Sequence, residues 1–433
     1  MPAKGTWDYT HEKRRLDSGL TRVLVMQPHL HYGTISIHIG AGSRYERGPD
    51  NGLAHFVEHM VFRGTGRFET SYDLNLAVER LGGTLNASTT ADSTEYTLTL
   101  PSANIERGVD LLSELVVRPR FDDLEIERKV ILEEIREDLG EDGSPVDIDF
   151  LSRRRLWPAN PLGQSITGPV ENALRFTIDD LRRAFDDAYF ASNAIVCVSG
   201  GFDRDGVARA VDRSFGDMRR GEASRTWPEV SPGRGATAFH AHKPGSQTQL
   251  RVAFHAPGLF DADSTAADIL LRLLDDGMST PLHRRVFETK GLAYNVGADL
   301  EAYTDVGALN VDATCSHENV IPVLDEVLSI AADLRDRPIP EEDLDKARSR
   351  AVWGLEDYQD SPDAMNGWYG EQELFREAPA IEAEAEACEA ITEADVRRAA
   401  GKIFKKGAFH VTTVGVLDDR QRAAIERKVE ELD

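Results

Sequence analysis

The segment 52–62, Gly-Leu-Ala-His-Phe-Val-Glu-His-Met-Val-Phe, constrains this chain more than any other stretch. It has no helix breaker after Gly52, and apart from Glu58 and two histidines it is apolar, which predicts a buried helix. At about 100° per residue, His55 and His59 lie one turn apart on one face, and Glu58 lies beside them. Two imidazoles in this arrangement can chelate one small cation.

The order His-x-x-Glu-His favours a catalytic metal over two ordinary core histidines. A carboxylate on an apolar helix is costly unless it is paired, and this order is the inverted zincin motif. A catalytic zinc takes three protein ligands and keeps one position for water. Glu58 would then lie where a general base for that water is required.

A third ligand is expected on another helix, and the segment 124–139 is the best candidate. On a helical wheel Glu127 and Glu134 fall about 20° apart. They lie inside an arc made by five apolar residues of the segment, which are Leu124, Ile126, Val130, Ile131 and Ile135. Buried carboxylates need a cation or hydrogen-bond donors, so we predict Glu134 as a zinc ligand and Glu127 as the hydrogen-bond partner of a ligand. The alternative is a solvated, charged helix.

Five stretches together resemble the pitrilysin/insulinase superfamily of zinc peptidases, and the closest match is its short branch, which is similar to the mitochondrial processing peptidase. They are residues 40–46, 52–65, 81–89, 127–135 and 291–294. In this family the glutamate ligand follows the histidine motif by about seventy-five residues, which selects Glu134 over Glu133. The resemblance implies a zinc endopeptidase with Zn2+ held by His55, His59 and Glu134.

The resemblance also implies an α+β fold of two homologous α/β domains, each a mostly antiparallel sheet packed with helices. We predict a zinc-bearing domain at 1–218, a linker rich in Pro and Gly at 219–235 and a second domain at 236–433. The order of predicted elements supports this duplication independently, because a helix at 264–276 takes the place of the motif helix. It ends in Leu-Leu-Asp-Asp-Gly, so the second copy retains no metal ligands. In this family the halves or subunits enclose a chamber.

The segment 83–88 looks like the family's active-site edge strand. An exposed edge offers unpaired backbone groups to an extended peptide. We therefore expect unfolded peptide substrates to bind as an added strand near Asn86 and Ala87. The alternative is an ordinary strand that begins after a double-glycine turn.

The second half of this family usually supplies an Arg and a Tyr that reach the substrate carbonyl. The Tyr is expected at Tyr294, but the Arg position holds Phe287, with Arg284 and Arg285 displaced by a few residues. Arg285 substitutes through a shifted loop, or a homologous Arg/Tyr-bearing subunit docks, or the enzyme works weakly without that donor. The expected partner is therefore a second copy or such a homologue. The alternative function is a scaffold subunit of the same fold without turnover.

Composition excludes some classes of partner. The net charge of −25 argues against nucleic acid and against anionic membrane, because both require basic patches. No apolar run predicts a membrane span, and the N-terminal residues show no signal-peptide pattern. Three well-separated cysteines in no metal-binding spacing favour a reducing compartment, so we predict a cytoplasmic location, with the periplasm as the alternative if a signal has been trimmed.

Overall fold

The computed structural model describes residues 7–222, 229–230 and 235–432. These residues form two compact units. Unit 1 comprises Met1–Ile135, Ser165–Trp227 and Leu355–Ala380, and unit 2 comprises Arg136–Gln164, Pro228–Gly354 and Ile381–Asp433. The predicted domains 1–218 and 236–433 are continuous in sequence, whereas these units are not. Most of the predicted linker 219–235 lies outside the described residues.

Each unit contains one sheet. The strands of unit 1 are β1 (Thr10–Arg15), β2 (Thr21–Met26), β3 (Tyr32–Ile39), β4 (Thr84–Thr89), β5 (Thr94–Pro101) and β6 (Ala194–Gly200). Those of unit 2 are β7 (Thr237–His242), β8 (Thr248–Pro257), β9 (Asn295–Ala302), β10 (Val306–Cys315) and β11 (Phe409–Gly415). The strand orders are β1-β2-β6-β3-β5-β4 and β7-β11-β8-β10-β9.

The two sheets share one topology once β1 is set aside. The pairs β2–β6 and β7–β11 are parallel, and all other neighbouring strands in the two sheets are antiparallel. Strands β2 to β6 therefore have the same order and directions as β7 to β11. The predicted α+β class, with two similar and mostly antiparallel sheets, is confirmed.

Helices cover both sheets. Within the described residues the α-helices are α1 (Leu53–Met60), α2 (Ser71–Arg80), α3 (Ile105–Val117), α4 (Leu124–Glu137), α5 (Ile148–Leu156), α6 (Val170–Arg175), α7 (Ile178–Ala188), α8 (Arg204–Ser214), α9 (Ser264–Leu274), α10 (Val320–Asp336), α11 (Glu341–Asp357), α12 (Pro362–Asn366), α13 (Gln372–Phe375), α14 (Ile381–Ala390), α15 (Glu393–Ile403) and α16 (Asp419–Leu432). Two π-helical segments span His283–Thr289 and Gly367–Glu371.

The unit 1 sheet has one apolar and one polar face, because side chains alternate along β3. The residues Ile35, Ile37 and Ile39 are fully buried, and α3 packs against this face so closely that a Cβ at Gly108 would lie 2.8 Å from Ile35 Cδ1. The opposite face carries buried polar side chains, and α12 covers it. There Asn366 Nδ2 donates to Cys197 O at 3.1 Å. This hydrogen bond between α12 and β6 helps to explain why a segment from the second half of the chain belongs to unit 1.

The segment 136–164 covers the sheet of unit 2 in the same way. Arg251 of β8 donates to Asp149 of α5 at 2.5 Å and to Asp312 of β10 at 2.7 Å. The indole of Trp157, at the end of α5, packs edge-on against Tyr303 with ring centroids 5.3 Å apart. Each sheet therefore buries one face under a segment that comes from the other half of the sequence.

Candidate active site

Helix α1 carries the histidine motif and is fixed at its first turn. Gly52 has a φ of 99°, and a Cβ there would lie 2.6 Å from Thr167 O, so only glycine fits. The half-buried carboxylate of Glu46 accepts hydrogen bonds from Gly52 N at 2.8 Å and from Ala54 N at 2.6 Å. These donors are among the N–H groups that a helix leaves unpaired at its start. Burial raises the pKa of Glu46 to about 7 because it outweighs the donated hydrogen bonds.

The structure brings the three predicted ligands together. The rings of His55 and His59 lie one above the other on α1, with centroids 4.6 Å apart. The carboxylate of Glu134, on α4, lies 3.3 Å from His55 Nε2 and 3.5 Å from His59 Nε2. Each of the three residues offers a ligand atom, and these atoms lie within 4.8 Å of one another.

This donor set fits zinc. Two imidazole nitrogens and one carboxylate are ligands that zinc accepts, and bonds of about 2.0–2.1 Å place tetrahedral ligand atoms roughly 3.3 Å apart. The side chain of Glu134 is 41% exposed, so a water or substrate can reach the point between the donors. Among the described residues no other group of three or more His, Cys, Asp or Glu donors converges in this way.

Glu127 holds His59 in the orientation that zinc binding requires. Its Oε1 lies 2.7 Å from His59 Nδ1, which leaves Nε2 of that ring directed at Glu134. Burial lowers the pKa of His59, but the hydrogen bond with Glu127 and the nearby carboxylates outweigh it and raise the pKa. Arg63 donates from Nε to the other oxygen of Glu127. Sequence reasoning missed Arg63, although its position four residues after His59 was an available signal.

Glu58 is buried beside the two histidines, with 8% of the residue exposed. Thr89 Oγ1, at the end of β4, donates to Glu58 Oε2 at 2.7 Å. No local sequence pattern predicts this contact. The one available signal was that Thr89 lies within the stretch 81–89 that resembles the family. The carboxylates of Glu58, Glu127 and Glu134 together create a negative environment that suits a cation.

One part of the helical-wheel argument for α4 is wrong. Ile126 and Val130 are 51% and 45% exposed, so the predicted apolar arc is not buried as a whole. The buried side instead includes Arg128, whose guanidinium donates to the backbone carbonyl of Ala173 in α6 and to that of Phe176, just after α6, at 2.8 Å. Glu127 and Ile131 lie on this buried side, which explains why Glu127 still points into the protein.

Strand β4 lies at the edge of the unit 1 sheet, as predicted. Asn86 and Ala87 occupy its middle and pair with Thr97 and Tyr96 of β5. Within the described residues β4 has a strand neighbour on one side only. Every second residue of such a strand directs its N–H and C=O away from the sheet. The substrate-binding role of Asn86 and Ala87 stays a prediction.

Comparisons with known proteins identify the family of this chain. Residues 22–170 match the family model described as Insulinase (Peptidase family M16), and residues 175–351 match the Peptidase M16 inactive domain. An uncharacterized zinc protease of Mycobacterium leprae is 32% identical over 330 residues, which are 73% of this chain and 73% of that protein. The chain belongs to peptidase family M16.

Other similar proteins match different shares of the chain. The mitochondrial-processing peptidase subunit beta of Caenorhabditis elegans is 34% identical over 193 residues, which are 44% of this chain and 42% of that protein. The crystal structure of a protease from Helicobacter pylori has the same fold, with a TM-score of 0.87 at 21% identity. The match covers 95% of this chain and 100% of the Helicobacter pylori chain. The M16 model described as inactive matches the region that holds Tyr294.

Tyr294 lies in unit 2 and is 84% exposed. It lines a hollow of about 420 Å3 together with Phe287, which stands at the family's arginine position. Arg285 points elsewhere, because its guanidinium donates to three side chains of α10, namely Glu326, Ser329 and Asp333. Because these hydrogen bonds hold the guanidinium against α10, they disfavour the interpretation in which Arg285 replaces the missing arginine. The catalytic role of Tyr294 stays a prediction.

The length and the apolar character of a helix decide whether it can cross a membrane. Among the described helices none combines the length and the apolar character that crossing a membrane requires.

Proposed function

We propose that this member of family M16 is a zinc-dependent endopeptidase that hydrolyses unfolded peptides. The observation that carries the proposal is the convergence of His55, His59 and Glu134, with Glu58 buried beside them. Relatives of this chain are named zinc proteases, which supports the same reaction class. His55, His59 and Glu134 would hold the metal.

The chain's own residues would divide the work of hydrolysis. When bound, zinc supplies Lewis-acid polarisation to water and to the scissile carbonyl. Glu58 accepts the proton of the attacking water and passes it to the nitrogen of the leaving amine as the C–N bond breaks. Glu127 keeps His59 in the tautomer that presents Nε2, and Arg63 holds Glu127 in place.

Substrate recognition would use the main chain of β4. A peptide that adds as a further strand satisfies the outward N–H and C=O groups near Asn86 and Ala87. Such binding depends little on peptide sequence but requires an extended segment. It therefore favours unfolded polypeptides over folded proteins. The enclosed chamber expected from the family stays a prediction.

The test is peptide hydrolysis by the purified chain, with metal content measured on the same sample and a chelator control. We expect cleavage of an unstructured peptide, loss of cleavage with the chelator, and about one zinc per chain. Glu58→Gln should abolish cleavage and retain zinc, because the carboxamide cannot accept the proton. Cleavage that survives in Glu58→Gln would show that the assigned mechanism is wrong.

Ligand assignment needs a matched pair of variants on α4. Glu134→Ala should lose zinc and activity, whereas Glu133→Ala, at the exposed neighbouring position, should retain both. Equal zinc content in the two variants would remove Glu134 from the ligand set. The comparison separates a specific ligand from a general loss of negative charge on the helix.

We further propose that the enzyme works as a dimer, either of two copies or with a homologous subunit that carries the Arg/Tyr pair. The observation behind this is that Phe287 stands at the family's arginine position while Arg285 is bound to α10. Bound zinc without cleavage by the purified chain would favour the heterodimer, and co-purification would then identify the partner. A scaffold or partner subunit of the same fold remains the alternative, and it predicts no turnover.

We place the protein in the cytoplasm. Cys197, Cys315 and Cys388 are all buried, free thiols. Burial raises the pKa of the Cys315 thiol to about 11, so this thiol stays protonated and unreactive. Free cysteines are typical of reducing compartments. Cell fractionation with an antibody against the chain tests this assignment.

A further inference from the structure

Strand β4 and the predicted general base are joined by one hydrogen bond. Thr89 is the last residue of β4, and its Oγ1 lies 2.7 Å from Glu58 Oε2 on α1. The half-buried side chains of β4 include those of Ala87 and Thr89, which alternate with exposed ones. The strand expected to bind the peptide therefore contacts the carboxylate expected to take the water proton.

The direction of this hydrogen bond follows from its neighbours. Thr94 pairs with Thr89 across the β4–β5 ladder and is fully buried. Its Oγ1 lies 3.0 Å from Ala41 O and 3.3 Å from Thr89 Oγ1. A carbonyl oxygen can only accept, so the Thr94 hydroxyl proton goes to Ala41. The Thr89 hydroxyl proton goes to Glu58 Oε2, because a carboxylate oxygen accepts, so the contact between the two threonine hydroxyls carries no proton of its own.

We propose that Thr89 is a positioning residue for Glu58. Its hydroxyl holds Oε2 of Glu58, so that Oε1 is left for the proton of the attacking water. Since Thr89 ends the strand to which the peptide adds, the same hydroxyl sets the height of the base relative to the bound main chain. The inference rests on the proposed function, because it assigns Thr89 a role in that reaction.

The threonine side chain has two parts, a hydroxyl and a methyl group, and substitution can distinguish their roles. Valine keeps the branched shape and the strand preference of threonine but cannot donate to Glu58. Serine keeps the donor and loses only a methyl group. A misaligned base loses a part of the roughly 10²–10⁴-fold that general base catalysis contributes. We therefore expect Thr89→Val to lower kcat about tenfold or more, with KM changed less than twofold.

The experiment measures kcat, KM, zinc content and thermal unfolding of Thr89→Val, Thr89→Ser and Thr84→Val. Thr84 begins the same strand, is exposed and serves as the matched control. We expect Thr89→Ser and Thr84→Val to stay within about threefold of the wild type, and all three variants to bind zinc. The separation of kcat from KM, together with rescue by serine, distinguishes positioning of the base from damage to the strand.

Several outcomes would overturn the proposal. If Thr89→Val has the same kcat as Thr84→Val, the hydroxyl is not needed. If Thr89→Ser loses as much kcat as Thr89→Val, the methyl group matters instead. If Thr89→Val does not fold, Thr89→Ala against Thr89→Ser provides the same comparison. A wild type that neither binds zinc nor cleaves would refute the proposed function itself. If the wild type binds zinc without cleaving, the same variants are compared in complex with the co-purified subunit.

Discussion

The carboxyl group of Glu46 should make the stability of unit 1 depend on pH. It lies half-buried against the start of α1, where it accepts hydrogen bonds from Gly52 N, Ala54 N and Asn51 Nδ2. Burial nevertheless raises its pKa from the ordinary 4.5 to about 7. Glu46→Gln replaces it with a neutral side chain of nearly the same shape, which removes the ionisation. The loss of one acceptor oxygen adds a difference in stability that does not change with pH.

The sign and size of the effect follow from proton linkage. Between pH 4.5 and pH 7 the unfolded chain has released the Glu46 proton while the folded chain still binds it. Stability therefore falls as pH rises through this window and is level above it. The pKa difference corresponds to about 3 kcal/mol, at 1.36 kcal/mol for each pKa unit. The stability of Glu46→Gln relative to wild type should rise by about that amount.

The assay is urea unfolding of both proteins at several pH values between 4.5 and 8, with zinc removed from both. Other titrating groups are common to the two proteins and cancel in the difference of their free energies of unfolding. Glu79→Gln, on the exposed side of α2, is the control for removal of a surface carboxylate. A difference that does not change with pH, or that favours the wild type as pH rises, would refute the reasoning. The N–H donors would then outweigh burial.

Three further predictions concern the site and the core. Glu127→Gln should weaken zinc binding about 10–100-fold in a competition titration, because His59 loses its carboxylate partner; unchanged affinity would contradict this role. Arg285→Met should reduce stability by roughly 1 kcal/mol in urea unfolding and leave kcat within twofold, whereas a large fall in kcat would restore Arg285 as the oxyanion donor. Leu112→Ala, at a fully buried position of α3, should cost about 2–5 kcal/mol by the same measurement, and a cost below 1 kcal/mol would show that the site collapses.

Helix boundaries were predictable to within a few residues. Helical periodicity predicts helices over 72–81 and 320–334, and the structure has Ser71–Arg80 and Val320–Asp336. The alternating Glu and Ala residues of 382–389 predict a solvated helical face, and α14 is helical there but also buries Cys388. Periodicity of 3.6 residues is a local property, so it is visible without knowledge of the fold.

Three strands were missed, and all of them lie at sheet edges. They are β1, β7 and β9. The sequence of β1, Thr-His-Glu-Lys-Arg-Arg, has no apolar alternation, and its residues are mostly exposed. An edge strand is held by its neighbour's backbone more than by burial of its side chains, so its local pattern is weak. Their pairing with central strands becomes visible only in the fold.

The sequence by itself determined the chemistry available to this protein. The spacing of His55, Glu58 and His59 placed them together on one helix, and the spacing of Glu127 and Glu134 did the same on another. These relationships follow from helical geometry within a few turns and do not depend on the rest of the chain.

The tertiary structure alone decided which of these groups meet. It placed Glu134 against both histidines, and it supplied Arg63 to Glu127 and Thr89 to Glu58. It also showed that the two halves of the sequence exchange the segments 136–164 and 355–380. Contacts of this kind join residues that are distant along the chain. They depend on how α1, α4 and β4 pack, and no local pattern encodes that packing.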